Sequence, residues 1–234
     1  MDNNSEKNLK EKVIASFDDI SRFEASNAKK WNHNNHYYKK MLDMLKTSEV
    51  NILDIGCGSG DFIKVAANYN FYSTGIDFSA EMINSAKINI NNIKEKCDFI
   101  CGDAYDIIPA LQDNYFDAAF SFAAMHHMDY LKLVPILKSK IKKGGFFGIV
   151  DIYESNSPLD YFVGCFAVPA SIIMKKIRNG KTMPNDEERK IWDEHGKLDV
   201  YMTFEQIRAQ MRELGVNYKL KHLLYFRYLL IIYF

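Results

Sequence analysis

The chain of 234 residues carries no surplus of charge of either sign, since 30 Lys and Arg are matched by 30 Asp and Glu. A protein whose main partner is nucleic acid needs a basic excess to displace phosphate counterions, so neutrality disfavours that partner. Cysteine is scarce. Cys57, Cys97, Cys101 and Cys165 are the only 4, and no two form a CxxC pair. This spacing argues against a disulfide framework or a thiolate zinc site and predicts a reducing, cytoplasmic setting. Long apolar runs are also missing: none reaches the roughly 18 residues of a membrane span. The nearest, Tyr161 to Met174, is interrupted by Pro169 and suits a pocket cap or a membrane-surface contact. The opening MDNNSEKNLKEK lacks the apolar segment of a signal peptide and is expected to fray.

Hydrophobic residues, by contrast, make up 47% and aromatics 14% of the chain, enough for a large core. Val13 to Lys46 reads as helical. After it, short apolar runs alternate with helical stretches. Strands are predicted at Val50 to Ile55, Phe71 to Ile76, Cys97 to Cys101, Tyr115 to Phe122 and Phe146 to Tyr153. Helices are predicted at Asp61 to Tyr69, from the cap Ser79 to Asn91, and from Asp129 to Lys143. The basic run Lys138, Lys140, Lys142 and Lys143 reads as a solvated helix end. Such alternation implies βαβ units and a parallel sheet covered on both faces. Ser155 to Leu198, which holds Pro158, Pro169 and Pro184, breaks the pattern and reads as a helical insertion over the site. Thr203 and Gln206 then form a capping box, and two strands follow, Asn217 to Leu223 and Tyr225 to Phe234. The expected division is therefore an N-terminal helical cap (1–46), a core (47–154), an insertion or lid (155–200) and closing elements of the same sheet (201–234).

The stretch NILDIGCGSGDF, residues 51–62, carries the functional reading. A buried strand ends at Ile55, and Gly56, Gly58 and Gly60 clear side chains from the turn into a helix. A ligand can therefore approach the backbone closely. The spacing departs from the G-x-G-x-x-G of dinucleotide enzymes. Asp54, just ahead of the glycines, would repel a pyrophosphate, but it can accept from a ligand ammonium or organise the loop. Asp77 ends the second strand, where a carboxylate can take both ribose hydroxyls of an adenosine. Asp103, after the third strand, can accept from an adenine amino group, and Ala104 leaves room beside the ring. A sulfonium amino acid nucleoside, which has no phosphate, suits this acidic crevice.

With these motifs in order, the chain resembles the Rossmann-like (class I) methyltransferases that use S-adenosylmethionine. LDIGCGSG is similar to their glycine loop, GIDFSAEM to their ribose-binding segment, GDA to their adenine site, FDAAFSFAAMHHM to their fourth-strand motif and GGFFGIVDIY to their fifth strand. The resemblance implies a seven-stranded, mostly parallel sheet in the order 3-2-1-4-5-7-6, with strand 7 antiparallel and helices on both faces. It also implies cofactor contacts from Asp54, Gly56, Cys57, Gly58, Gly60, Asp77, Phe78, Met82, Asp103, Ala104 and Phe122, with S-adenosylhomocysteine as product. In the resembled enzymes a helical N-terminal segment covers the cofactor. That places Trp31 and Tyr37, within the aromatic stretch WNHNNHYY, among the expected contacts, where an aromatic face can attract a sulfonium. WNHNNHYY, TFEQIR and RYLLIIYF are further similar to bacterial small-molecule methyltransferases.

His126 and His127 follow the fourth strand and are the candidate catalytic residues, since an imidazole titrates near neutrality. No metal site is expected, because no third ligand lies near the pair in the sequence. The preferred activity is in-line methyl transfer to a small-molecule acceptor, with no membrane span and no nucleic-acid partner favoured. A tRNA, rRNA or protein methyltransferase is an alternative. The Asn/Asp-Pro-Pro-aromatic motif of exocyclic-amine methylation is replaced here by Ser121-Phe122-Ala123-Ala124. A non-catalytic S-adenosylmethionine-binding module is a further alternative.

Overall fold

The computed structural model describes residues 33–46, 49–90, 96–156 and 199–234, together with isolated positions at 12, 172–173, 176–177, 189–190, 193 and 196. Helix α1 (Asn35–Leu42) leads into β1 (Asn51–Ile55), α2 (Asp61–Ala67), β2 (Tyr72–Asp77), α3 (Ala80–Asn89), β3 (Cys97–Cys101) and α4 (Ala104–Ala110). After β4 (Phe116–Phe122) a 3₁₀ turn (Met125–His127) precedes α5 (Tyr130–Lys140) and β5 (Ile141–Ile152). Helix α6 (Phe204–Glu213), β6 (Asn217–Leu223) and β7 (Arg227–Tyr233) complete the described elements. The strands form one 7-stranded sheet in the order β3-β2-β1-β4-β5-β7-β6. β7 runs antiparallel to both neighbours, and the other pairings are parallel. This is the Rossmann-like order expected from the sequence. The core segment and the closing strands share one sheet. The expected lid, Trp31 and the helical segment ahead of residue 33 lie, apart from the isolated positions, outside the described residues.

Each face of the sheet buries its own apolar layer. On one, α4, α5 and α6 press Ile108, Leu133, Leu137, Ile207 and Met211 onto Leu53, Phe147 and Leu230. On the other, α1 and α2 press Tyr38, Met41, Leu42 and Phe62 onto Ile52, Phe120 and Val150. Fully burying each such side chain contributes about 1.5–3 kcal/mol. The central strands are apolar on both faces because both faces are covered; β4 is buried along nearly its whole length. Local signals set the helix starts. Ser79 Oγ accepts from Met82 N, Asp129 accepts from Leu131 N, and Thr203 with Gln206 makes the reciprocal box.

Three expectations need correction. The fifth helix stops at Lys140, and β5 begins at once. Ile141 pairs with Phe116, the chain bulges, and pairing resumes at Phe146 opposite Ala118. Gly144 (φ 85) and Gly145 lie in this bulge, where a Cβ at Gly145 would come within 2.5 Å of Asp117 O. These glycines therefore serve a β-bulge rather than a helix end. The basic run is not uniformly solvated. Lys140 is 6% exposed, its ammonium held by Pro109 O, Leu111 O and Asp113 at 2.6–2.9 Å. Lys142 pairs with Asp117 at 2.9 Å. The last strand begins at Arg227 rather than Tyr225, because Tyr225 (φ 65) and Phe226 (φ 56) sit left-handed in the hairpin loop. Tyr225 is nonetheless buried, stacked on His33 at 4.8 Å, and burial offsets the cost of its backbone.

Candidate active site

The carboxyl ends of β1, β2, β4 and β5 meet at one edge of the sheet, where open α/β sheets bind ligands. At the end of β1 the chain turns through Gly56 (φ 72), Gly58 (φ 51) and Gly60 (φ 76). Gly56 and Cys57 both donate to Ile76 O, at 2.8 and 3.0 Å, and this ties the loop to β2. A Cβ at Gly56 would run into the Ala124 methyl, whereas one at Gly58 would meet nothing within 4 Å. The two glycines therefore do different things. The first lets the β1 and β4 ends approach, and the second keeps open space above the loop.

Asp77 organises that loop. Its Oδ2 accepts from Gly58 N at 2.8 Å and its Oδ1 from Ser79 N at 2.9 Å. Asp54 is 2% exposed, and among the described residues no donor reaches its carboxylate. Burial, then the neighbouring Asp77, pushes its pKa well above the usual carboxylate range. A buried carboxylate without a partner is costly unless a cation neutralises it. Burial likewise raises the Cys57 thiol, followed by Asp54 and Asp77, so this cysteine is no nucleophile.

The structure brings Asp54, Gly56, Cys57, Gly58, Gly60 and Asp77 together in one turn. Met82 is buried in the first turn of α3, and Phe78 lies between Asp77 and the cap Ser79. Asp103 caps α4 by accepting from Tyr105 N at 2.9 Å, and Ala104 is buried in the core layer behind it. Phe122, at the end of β4, packs on Tyr38 at 4.7 Å and Phe62 at 4.6 Å. Tyr37 turns elsewhere: its hydroxyl donates to Leu224 O at 3.1 Å, and burial pushes its pKa up to about 12. It joins α1 to the β6–β7 hairpin.

A second cluster lies beside Ala124. Asp151, fully buried at the end of β5, receives His126 N at 2.9 Å, pairs with His126 Nδ1 at 2.8 Å and receives Ile152 N at 2.6 Å. His126 Nε2 and His127 Nε2 each stand 3.6 Å from Asp199 Oδ1, and Tyr201 donates to Asp199 Oδ2. Burial alone would lower the His126 pKa, but the carboxylates of Asp151 and Asp199 outweigh it and the net shift is upward. Arg227 is also close enough to act on His126 and to be influenced by Asp151. It donates to Asn34 Oδ1 at 3.1 Å. Sequence reasoning missed Asp199, Tyr201 and Arg227. Asp199 stands between Leu198 and Val200 with no motif around it. No third ligand group lies near the histidine pair in the sequence, but the fold brings Asp199 to it from a distant segment.

Comparison with known proteins places these observations. Residues 53–149 match the model of a methyltransferase domain family. The methyltransferase/kinase WbdD of Escherichia coli, an O-antigen chain terminator, is 30% identical over 95 residues, which is 40% of this chain and 13% of that protein. An uncharacterized methyltransferase of Synechocystis is 28% identical over 123 residues, covering 49% of this chain and 55% of its own length. The chain thus spans well under two thirds of these relatives. Among solved structures, phosphoethanolamine N-methyltransferase 2 of Haemonchus contortus, bound to phosphomonomethylethanolamine and S-adenosylhomocysteine, superposes with a TM-score of 0.58. It is 18% identical, over 82% of this chain and 38% of that one. At that identity the likeness is one of fold. Among the described residues, no helix is long and apolar enough to cross a membrane.

Proposed function

We propose that this chain, whose residues 53–149 match a methyltransferase domain model and lie on a Rossmann-like sheet, binds S-adenosylmethionine and transfers its methyl group to a small-molecule acceptor. The observation that carries this reading is Asp54, a buried carboxylate without a donor among the described residues, beside a glycine turn with open space at Gly58. An ammonium and a sulfonium suit that setting, and a pyrophosphate does not. Bound there, the cofactor supplies an electrophilic methyl group on sulfur, ready for in-line displacement.

The chain's own residues do the rest. Asp54 pairs with the amino acid ammonium. Asp77 keeps the glycine turn in shape through Gly58 N and is the acid at the end of β2 assigned to the ribose hydroxyls. Asp103 and Ala104 border the adenine. Phe78, Met82 and Phe122 provide apolar wall. His126 and His127 stand on the acceptor side, and Asp151 fixes the His126 ring with Nε2 turned away from it. Their ring nitrogens are the groups we assign to take an acceptor proton. Alignment of nucleophile and methyl carbon is the main source of rate, with effective molarities of about 10⁵ M or more within reach.

The test has two arms. Calorimetry should show S-adenosylmethionine binding at one site, with no affinity for a nicotinamide dinucleotide. Label from methyl-tritiated S-adenosylmethionine should appear in small molecules of a metabolite extract, and that transfer should vanish with Asp77→Ala. Binding of the dinucleotide instead would refute the cofactor reading. Label confined to RNA or protein would refute the acceptor reading.

A further inference from the structure

Proton transfer needs one base, yet three donor atoms converge beside the end of β4. One ligand atom from each of His126, His127 and Asp199 lies within 4.8 Å of the other two, and His126 Nε2 and His127 Nε2 are each 3.6 Å from Asp199 Oδ1. Ligands about 2.0–2.1 Å from a tetrahedral zinc ion sit roughly 3.3–3.4 Å apart. The nitrogen–oxygen edges are therefore nearly at bonding separation already, and an ion would draw the two imidazoles together. The side chains are shielded from water: His126 is 5%, His127 11% and Asp199 4% exposed.

The surroundings are also those of a metal site. A ligating histidine commonly gives its other ring nitrogen to a carboxylate, which fixes the tautomer. Asp151 does this at His126 Nδ1, at 2.8 Å, leaving the Nε2 lone pair for the ion. Tyr201 holds the second oxygen of Asp199. Among the described residues, Asp151 and Asp199 bring two carboxylates to the cluster against the one guanidinium of Arg227. Two imidazoles and one carboxylate suit a divalent first-row ion such as zinc or iron, whereas magnesium and calcium prefer oxygen.

We propose that His126, His127 and Asp199 form a binding site for one divalent transition-metal ion, with Asp151 behind His126 and a coordination position left open. This site stands without the methyl-transfer reading. Its use rests on that reading: the open position would hold an oxygen or nitrogen of the acceptor and ease loss of its proton, as bound zinc lowers the pKa of water from 15.7 to about 7. The ion would then take over from the histidines the activation of the acceptor, whose proton would pass to solvent before its oxygen or nitrogen attacks the methyl carbon.

The probe is Zn²⁺ titrated calorimetrically into protein treated with chelator and desalted, with Co²⁺ absorption as a second readout. One equivalent should bind, and Co²⁺ should give the visible bands of a low-coordinate site. Asp199→Asn and His127→Gln should each abolish saturable binding while keeping the wild-type circular dichroism spectrum. Absence of saturable binding to the wild-type protein, or equal binding by both variants, would overturn the site. S-adenosylmethionine calorimetry on the same samples separates the two proposals: its failure strikes the cofactor reading and leaves the metal titration standing.

Discussion

Gly56 and Gly58 have similar backbone angles but different surroundings, and alanine substitution at each should separate fold from function. Both are left-handed, at φ 72 and φ 51, so either alanine costs about 1–2 kcal/mol of backbone energy. At Gly56 the new methyl would also overlap the Ala124 methyl. Forcing a methyl into a packed site costs roughly 1–3 kcal/mol more. Gly56→Ala should therefore lose about 2–5 kcal/mol of unfolding free energy. Gly58→Ala should lose only the backbone share, because nothing lies within 4 Å of its Cβ. The order for ligand binding reverses in character. The Gly58 methyl stands in the open space assigned to the cofactor, so this near-stable variant should bind S-adenosylmethionine at least tenfold more weakly, and Gly58→Val more weakly still. Urea unfolding of ligand-free protein and calorimetry with S-adenosylmethionine supply the two numbers. Equal destabilisation by the two alanines, or wild-type affinity in Gly58→Val, would refute the division of labour.

Asp54 offers a pH test. Its pKa is raised in the folded chain, so its stabilising contribution is complete below the ordinary carboxylate value and is lost as pH rises through the raised value. Ligand-free Asp54→Asn should melt at or above wild type at neutral pH, yet bind S-adenosylmethionine roughly 10- to 150-fold more weakly through loss of about 1.5–3 kcal/mol of charged hydrogen bonding. Unchanged affinity in Asp54→Asn would remove this carboxylate from the site. Lys140→Met keeps the stem but abandons Pro109 O, Leu111 O and Asp113; a loss of about 1–3 kcal/mol in urea is expected, and none would mean water replaces the ammonium. Phe226→Gly relieves a left-handed phenylalanine that is 36% exposed, and should raise stability by up to about 1 kcal/mol after glycine's own entropy cost; a fall in melting temperature would show the ring to be packed.

The sheet was legible because each βαβ unit repeats a short apolar run, a turn and an amphipathic stretch, and because Ser79, Asp129 and Thr203 mark helix starts with side chains that bond nearby. Helix α4, seven residues with Pro109 inside, carries little periodic signal, and the side chain of Asp103 is the local mark of its start. The β5 bulge escaped because Gly144-Gly145 reads equally as helix punctuation. The cofactor turn was readable since glycine spacing and the acids Asp54 and Asp77 are local in sequence. The cluster at His126 was only half readable. Asp199 and Arg227 reach it through the sheet order and the return of the chain, and no local pattern encodes such an encounter. Lys140 looked like a surface charge for the same reason: its acceptors lie at and just beyond the end of α4, 27–31 residues away in sequence.

The antiparallel strand β7 lies inside the sheet, between β5 and β6, and its hairpin is gripped by α1 through Tyr37 to Leu224 O and Asn34 to Arg227. A nascent chain emerging from the ribosome therefore cannot seal this edge until residues 227–233 appear. Until then β5 presents bare amides and carbonyls, and the early helix lacks its bonds to the hairpin. Premature termination ahead of Arg227 would leave that edge as a template for pairing between molecules, so such fragments should be substrates for chaperones and proteases rather than weakened enzymes.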